Sequence, residues 1–486
     1  MAGQPQEYRE RELKFDVSPY WRLPGVETEI PEGGAVVVDT VRLTSTYFDS
    51  PDLALLAAGT TLRRRTGDTD EGWQLKIPAD GAKLEISVPL NGGGGVPEAL
   101  SLMVRGVLAG SPLVPVATLT TDRTRHTVLD ATERALVEIA DDRVLAALPG
   151  APGRSHGWHE IEVEQKDAAE DAEKLVVSMG DALRRAGAQP ASTDSKLARA
   201  LREPGRHRVS GRPSVLEQLE TYVRAQADEI ARRDIDLRRG LDVVHPARVA
   251  TRRLRSVLHV FESALDPSRA LWLDTELRWF ATVMGAVRDR EVLQVHLADA
   301  LAALPESAVE GPVGDRIVTM LETEVAAAKA GLAEAMDSPR YQVMMRELRA
   351  WRSTVPVLHD QLTRDSGGYL AAGRKKVVTR LELAAEPGAP EEALHSARKA
   401  AKRLRYLGEM LEPSLGKKAR RVQDWAREVQ DRLGGIQDGV VAAGFLRRAA
   451  ASAEQRGESS FTYGVLYHRE IDAGERAMRR ARRDLS

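Results

Sequence analysis

The sequence predicts an α+β protein in which a strand-rich N-terminal part precedes an all-α C-terminal part. Up to about residue 165, short runs of alternating apolar and polar residues are broken by Gly, Pro and Asp, which is typical of strands. From about residue 214 the chain is rich in Ala, Leu, Arg and Glu and keeps helical spacing. The change of pattern therefore indicates two domains of different class.

Length and composition limit the number of domains, the kinds of site and the compartment that are possible for this protein. The 486 residues are enough for two or more domains with cores of their own. The absence of cysteine excludes disulfides and thiolate metal sites and fits a reducing compartment. The first residues have no apolar run of the kind found in signal peptides, and no stretch approaches 18 apolar residues. We therefore expect a cytoplasmic protein without a membrane partner.

Eight strand-like runs account for most of the N-terminal part, and turn residues separate them. The runs are 8–16, 41–48, 60–66, 72–78, 83–90, 116–128, 134–140 and 158–165. Two helical segments accompany them, at 97–108 and 168–185. The segment 203–213, rich in Pro, Gly and Arg, has the composition of a linker.

Charged residues of one parity share one face of these strands, because side chains alternate along a strand. Carboxylates dominate the first and last strands, and Arg and Lys dominate the middle ones. On an open antiparallel sheet such a face would simply meet solvent. If the sheet closes, the same side chains meet inside it, where carboxylates suit a divalent cation and Arg and Lys suit phosphates. The residues are Glu10, Glu12, Lys14, Arg63, Arg65, Gln74, Lys76, Lys83, Glu85, Arg123, Arg125, Glu138, Asp142, Glu160, Glu162 and Glu164.

Two segments of the helical part, 245–255 and 395–405, repeat one basic pattern 150 residues apart. Each places one His and three cations at positions i, i+3, i+7 and i+10, on one helix face over about 15 Å. Because rows of cations repel one another, the pattern predicts a polyanionic partner. The residues of the two basic stripes are His245, Arg248, Arg252, Arg253 and Arg255, and His395, Arg398, Lys399, Lys402, Arg403 and Arg405.

A second repeated element follows each basic stripe. Gly285-Ala-Val-Arg-Asp289 follows the first and Gly434-Gly-Ile-Gln-Asp438 follows the second. Asp289 lies 44 residues after His245, and Asp438 lies 43 residues after His395. A Pro- and Gly-containing break at 386–390 lies between the two copies. We therefore expect a duplicated helical bundle with repeats at about 213–385 and 391–486.

Five short motifs follow one another in the N-terminal part: Glu10-x-Glu12-x-Lys14, Tyr47-Phe48-Asp49, Leu62-Arg63-x-Arg65, Leu75-Lys76 and Glu160-x-Glu162-x-Glu164. In this order they resemble the motifs of the CYTH, or triphosphate tunnel metalloenzyme, superfamily. The helical part, with its two His-bearing basic stripes, resembles the CHAD family (conserved histidine α-helical domain), and CYTH–CHAD fusions are a known pairing. We expect the two domains at 1–205 and 213–486.

The resemblance implies an eight-stranded antiparallel β tunnel or barrel that uses Mg²⁺ or Mn²⁺ to hydrolyse the terminal phosphoanhydride of a triphosphate-bearing substrate. It implies catalytic roles for Lys14 and for Glu162 or Glu164, either of which could activate the attacking water. The adjacent Asp141 and Asp142 leave open which of them faces inward. The implied metal ligands are Glu10, Glu12, Glu85, Glu138, Asp142, Glu160 and Glu162. The implied phosphate-binding residues are Arg63, Arg65, Lys76, Lys83, Arg123, Arg125 and Lys196.

Several functions fit these features. The first is a metal-dependent hydrolase of inorganic triphosphate or polyphosphate ends, coupled to a polyphosphate-binding helical domain. An adenylate cyclase or a thiamine triphosphatase of the same tunnel type is an alternative, although both must recognise an organic base and the first domain has few aromatics. A non-catalytic polyphosphate-binding protein is another. Nucleic acid is disfavoured as a partner because the basic stripes lack interleaved aromatics to stack bases.

Overall fold

The computed structural model describes residues 5–25, 30–79, 82–90, 94–150, 155–201, 212–386, 388–433 and 436–483. The chain divides into two compact units, Met1–Arg208 and Val209–Ser486. Most of the predicted linker at 203–213 lies outside the described residues. The two units are described separately below.

Ten strands of the first unit form one antiparallel sheet, in the order β1-β6-β5-β4-β3-β7-β8-β9-β2-β10. Each of the eight predicted runs coincides with part of this sheet. The strands are β1 (Gln6–Glu10), β2 (Glu12–Val17), β3 (Ala35–Asp49), β4 (Thr61–Thr66), β5 (Gly72–Ala79), β6 (Ala82–Pro89), β7 (Val114–Leu129), β8 (Ala135–Ala147), β9 (Ser155–Gln165) and β10 (Gln189–Pro190).

The sheet curls because one segment of chain pairs with both of its ends. β1 pairs with β6 and β2 pairs with β9, and only Arg11 separates β1 from β2. The expected count of eight strands is therefore too low. The predicted first run is split at Arg11, where the chain changes partner, and the two-residue β10 adds a strand that is too short to produce an alternating pattern.

Helices of the first unit lie on both faces of the sheet. They are α1 (Ala54–Ala57), α2 (Glu98–Leu108), α3 (Glu170–Arg185) and α4 (Lys196–Ala200). The apolar side of α3, including Met179 and Leu183, packs against the outward residues Phe15, Ile161 and Val163, so the outer face of the sheet is a core. On the inner face, Tyr47, Leu119, Trp158 and other apolar residues pack with Leu197 of α4. One end of the interior is thus filled by apolar side chains.

The second unit consists of helices, as the sequence predicts. The α-helices are α5 (Val215–Arg238), α6 (Val244–Val260), α7 (Pro267–Ala302), α8 (Val313–Asp337), α9 (Pro339–Ser353), α10 (Ser366–Ala385), α11 (Glu391–Leu415), α12 (Lys417–Arg432), α13 (Ile436–Gln455) and α14 (Phe461–Arg483). In the described part of the chain, none of the helices is long and apolar enough to span a bilayer.

The helices that carry the two basic stripes, α6 and α11, pack against each other. Several of their apolar residues, among them Leu254, Val257, Leu404 and Leu411, are almost completely buried. Each helix therefore has one face fixed in the core, and its cations are held close to those of the other helix.

Candidate functional site

The strand register assigns the predicted charged residues of the first unit to one face of the curled sheet. Lys14 lies opposite Glu162, Lys76 opposite Glu85, and Arg123 opposite Asp142. Because the sheet curls, side chains from strands near its two ends also meet. Lys83 of β6, for example, contacts Glu12 of β2 at 3.1 Å.

Three carboxylates form the innermost cluster, which we call the acidic trio: Asp142 of β8 with Glu160 and Glu162 of β9. One oxygen from each lies within 4.8 Å of the others. All three residues are buried. Of the seven acids implied as metal ligands, these three come together within the part of the chain that the structure describes.

Two cations from the strands hold the acidic trio. The Arg123 guanidinium donates two hydrogen bonds to Asp142, at 2.7 and 2.6 Å, and one to Glu162 at 2.9 Å. Lys14 donates to Glu162 at 2.5 Å. Burial raises the pKa of Glu162, but Lys14, Lys196 and Arg123 together outweigh burial and hold this pKa well below its usual value. Glu162 is therefore a carboxylate at neutral pH.

The ammonium group of Lys196 contacts every member of the acidic trio. Its Nζ lies 3.0 Å from Asp142, 2.6 Å from Glu160 and 2.6 Å from Glu162. Lys196 is the first residue of α4, which Ser195 caps by accepting a hydrogen bond from the Ala198 amide.

Arg199 ties α4 to the sheet. Its guanidinium forms an ion pair with Asp16, lies 3.4 Å from Glu160 and stacks 5.2 Å from the ring centroid of Trp158. The indole of Trp158 in turn donates to Glu160 at 2.5 Å. The contacts of Arg199, one helical turn after Lys196, thus help to fix the position of Lys196.

A second charged group lines the other side of the interior. Lys76 lies between Glu10, at 2.7 Å, and Glu85, at 3.0 Å. Arg63 donates to Gln74 at 2.7 Å and to the Tyr47 hydroxyl at 3.3 Å. Burial raises the pKa of Tyr47, but Arg63 and the nearby Lys196 and Lys76 outweigh burial and lower it. The cations Arg63, Lys76 and Lys196 therefore surround one phenol.

The remaining predicted residues lie further from the acidic trio. Arg65 pairs with Asp70 at 2.8 Å, and Arg125 pairs with Asp39 and Asp68. The other contacts link Lys83 with Glu12 at 3.1 Å, Lys166 with Glu164 at 2.8 Å and Lys166 with Glu138 at 3.8 Å.

The structure also answers the question that Asp141 and Asp142 left open. Asp142 faces the interior and is completely buried. Asp141 points to the other face, where it contacts Nε2 of His159 at 2.7 Å. Nδ1 of the same imidazole lies 3.0 Å from the Ser18 carbonyl oxygen. His159 is thus engaged on the outer face, away from the acidic trio.

The acidic trio has the donor chemistry of a divalent-cation site, since Mg²⁺ and Mn²⁺ prefer carboxylate oxygens. Asp142, Glu160 and Glu162 would hold such an ion. The ammonium group of Lys196 already lies within hydrogen-bonding distance of all three carboxylates. An ion at the centre of the three oxygens would therefore compete with Lys196 for the same space.

The second unit contains a cluster in which positive charges outnumber carboxylates. Arg248 and Arg252 of α6 surround Lys402 of α11, together with Arg398 and Arg405, and we call these five residues the basic cluster. Burial and then these four guanidinium groups lower the pKa of Lys402 to about 8. Within the described residues, Arg252, Arg398 and Lys402 have no carboxylate in ion-pair distance. Cations held together in this way suit an anionic ligand.

The other residues of the basic stripes have different surroundings. Arg255 pairs with Asp274 at 2.8 Å and Arg253 pairs with Glu409 at 2.8 Å. Arg403 is near Asp274 and Arg255. Burial and then Arg288 lower the pKa of His245, while His395 and Lys399 are exposed. Helical spacing alone therefore overstates how many cations are available to a ligand.

The repeated Gly-x-Val-x-Asp element contacts the first basic stripe. Asp289 pairs with Arg248 at 2.7 Å. Gly285 lies beside this pair, since a Cβ there would be in ordinary van der Waals contact with the Arg248 guanidinium, at 3.5 Å. In the second copy, Gly434 and Gly435 and the side chains of residues 436–438 lie outside what the structure describes.

Family models match both units. A CYTH domain matches residues 8–198, and a CHAD domain matches residues 221–447. The chain is a CYTH–CHAD fusion protein. An uncharacterized protein of Mycobacterium tuberculosis strain H37Rv is 33% identical to this CYTH–CHAD protein over 504 residues, covering 98% of this chain and 95% of the relative.

Other similarities cover parts of the CYTH–CHAD chain. The thiamine-triphosphatases of Macaca fascicularis and Homo sapiens are each 42% identical over 55 residues, or 11% of this chain and 23% of theirs. Among solved structures, PptA from Streptomyces chartreusis is 21% identical with a TM-score of 0.46, covering 56% of this chain and 99% of PptA. The CHAD domain from Ricinus communis is 22% identical with a TM-score of 0.42, covering 56% of this chain and 93% of that one.

Some contacts of the CYTH interior, and one of its residues, were missed by the sequence analysis. Gln74 was placed on the charged face and Tyr47 in a CYTH motif, but nothing in the sequence assigns either to the Arg63 guanidinium that they hold. Arg199 lies three residues after Lys196, on a helix too short to have a periodic pattern. Only the tertiary structure shows its contact with Glu160.

Proposed function

We propose that this CYTH–CHAD protein is a metal-dependent hydrolase of inorganic triphosphate or of polyphosphate ends, and that its CHAD unit binds polyphosphate. CYTH relatives include thiamine-triphosphatases, which agrees with a triphosphate-bearing substrate. The cysteine-free composition agrees with action in the cytoplasm.

The observation that carries the proposal is the arrangement of charge inside the curled sheet. The buried acidic trio lies beside Arg123 and Lys14, and Arg63 and Lys76 line the same interior. A site that only gripped phosphate would lose affinity from buried carboxylates, because they repel the ligand. Carboxylates and cations together suit a phosphate chain bound through a divalent cation.

The interior residues would have two roles in hydrolysis, which are to position the phosphates and to stabilise their negative charge. Arg63 and Lys76 would hold the phosphate oxygens, and Arg123 would fix the acidic trio in place. Phosphoryl transfer needs these cations because negative charge spreads over the transferred oxygens in the transition state. When bound by the acidic trio, Mg²⁺ or Mn²⁺ supplies Lewis-acid stabilisation of that charge. Glu162 or Glu164 would accept a proton from the attacking water, and burial, which raises the pKa of Glu164, makes Glu164 the stronger base of the two.

Inorganic triphosphate is favoured over a substrate with an organic base. Trp73 is completely buried against Phe48, with ring centroids 5.0 Å apart, and Trp158 is buried beside Arg199. Neither ring is open to stack a base. The local similarity to thiamine-triphosphatases keeps thiamine triphosphate as the second candidate.

The basic cluster of the CHAD unit supports the second part of the proposal. Arg252, Arg398 and Lys402 are held close together by the packing of α6 on α11. Burial, and then the repulsion of the neighbouring guanidinium groups, lowers the pKa of Lys402. A polyphosphate chain would relieve this repulsion along its whole length, which a single small anion would not do.

Phosphate release from four substrates tests the function: inorganic triphosphate, thiamine triphosphate, ATP and long-chain polyphosphate, each with Mg²⁺ and with Mn²⁺. We expect inorganic triphosphate to give the highest kcat/KM, and chelation of the metal with EDTA to abolish release. A higher kcat/KM for thiamine triphosphate or ATP than for inorganic triphosphate would contradict the proposed substrate. Undiminished release with EDTA would contradict the metal site.

A further inference from the structure

Charge balance around the acidic trio limits how a metal can enter it. Asp142, Glu160 and Glu162 contribute three negative charges, and Arg123, Lys14 and Lys196 contribute three positive charges in direct contact with them. The fourth cation, Arg199, lies 3.4 Å from Glu160 and is balanced by its own ion pair with Asp16. The cluster is thus neutral without a metal. A divalent cation would add two positive charges to a buried group, which is unfavourable unless a cation leaves or an anion arrives.

Lys196 is the cation placed to leave. It touches all three carboxylates, whereas Lys14 touches only Glu162 of the acidic trio. Lys14 and Arg123 also lie within strands paired on both sides, whereas Lys196 begins a five-residue helix. The Lys196 side chain is 9% exposed, so its ammonium fills space that a bound ion needs.

We propose that Lys196 is an internal competitor of the catalytic metal, and that metal and triphosphate therefore enter the site together. This inference rests on the proposed function, since it takes the acidic trio as the metal site. Arrival of a triphosphate gives the displaced ammonium group a new anionic partner. The metal ion then replaces Lys196 among the carboxylates, and the site stays near neutrality.

The test measures binding of Mn²⁺ alone, without any phosphate compound, to the full-length protein by electron paramagnetic resonance. Lys196→Met removes the competing charge while keeping an unbranched side chain, and we expect it to bind Mn²⁺ at least about tenfold more tightly than the wild type. Lys174→Met is the matched control, because Lys174 pairs with Glu170 on the exposed surface of α3, outside the site. Its Mn²⁺ affinity should equal that of the wild type. Equal or weaker affinity in Lys196→Met than in the wild type would overturn the inference.

A measurement on the wild type covers the case in which Lys196→Met does not fold. At saturating Mn²⁺ without substrate, displacement of Lys196 should loosen α4. Amide hydrogen exchange of residues 197–200 should then become faster, while exchange in α3 stays the same. Unchanged or slower exchange in α4 would contradict the displacement.

The outcome separates this inference from the proposed function. If the wild type releases no phosphate from triphosphate but Lys196→Met still binds Mn²⁺ more tightly, the competition stands and the substrate assignment fails. If the wild type hydrolyses triphosphate and Lys196→Met gains no affinity, the hydrolase assignment stands and Lys196 does not compete. If neither protein binds Mn²⁺ at millimolar concentration, the acidic trio is not the metal site and both fail.

Discussion

Glu162 has more cationic partners than its neighbours on β9, since Lys14, Lys196 and Arg123 all contact it. We expect Glu162→Gln to lower the rate of phosphate release from triphosphate by at least about 100-fold, whether Glu162 acts as the general base or as a ligand of the metal. The fold should persist, because Gln keeps the side-chain volume. Glu170→Gln, on the exposed start of α3, is the control and should keep wild-type activity. Near-normal turnover in Glu162→Gln would remove this residue from the mechanism.

Two adjacent arginines on β4 offer a matched comparison. Arg63 points inward to Gln74 and Tyr47, whereas Arg64 is exposed on the opposite face. Lysine keeps the charge but loses the planar fork that binds phosphate through two hydrogen bonds. We expect Arg63→Lys to lower kcat/KM for triphosphate about 10- to 100-fold, corresponding to one lost charge-assisted bond, and Arg64→Lys to leave it unchanged. Similar values for the two variants would place Arg63 outside the substrate site.

Lys402 gives the CHAD unit a specific pH dependence. Its pKa, lowered to about 8 by burial and by surrounding arginines, means that it is charged below pH 8 and neutral above it. Affinity for polyphosphate should therefore fall between pH 7 and pH 9. Lys402→Arg should flatten this part of the profile, because a guanidinium stays charged. The check is titration of labelled polyphosphate at constant ionic strength, and an unaltered profile in Lys402→Arg would contradict the assignment.

At the scale of elements, the packing of α6 on α11 separates cations with acidic partners from cations without them. The variant Arg252→Gln/Lys402→Gln should weaken polyphosphate binding strongly and lower the dependence of log K on log salt by about 1 to 2, since fewer counterions are released. The control, Arg253→Gln/Arg255→Gln, removes two charges that Glu409 and Asp274 already compensate. It should change both quantities less. Equal losses would mean that the whole basic stripe binds the polymer.

At the scale of the whole molecule, joining the two units should matter only for a long substrate. A polymer bound to the CHAD unit raises the local concentration of its own chain ends. We expect Arg252→Gln/Lys402→Gln to keep the wild-type kcat/KM for inorganic triphosphate and to raise the KM for long-chain polyphosphate. Parallel measurements on both substrates check this. An equal effect on both would indicate damage to the fold, and no effect on either would mean that the CHAD unit does not deliver substrate.

The sequence determined which residues could form the site, because strand periodicity is local. Parity placed Glu10, Lys76 and Arg123 on the charged face, and helical spacing aligned Arg252 with Arg248. Both patterns follow from the fixed backbone geometry of strands and helices. They can therefore be identified from residues that lie close together in the sequence.

The tertiary structure decided which of those residues meet. The change of pairing partner at Arg11 brings Glu12 of β2 to Lys83 of β6, and α4 brings Lys196 among the acidic trio. Likewise, Asp274 neutralises the charge of Arg255 and Glu409 that of Arg253. Both acids lie outside the basic stripes, so the stripe pattern does not predict these pairs. A single strand or helix reports which side chains share its face. Contacts between distant segments depend on how those faces pack, because an ion pair forms between side chains that are close in space, even when they are far apart in the sequence.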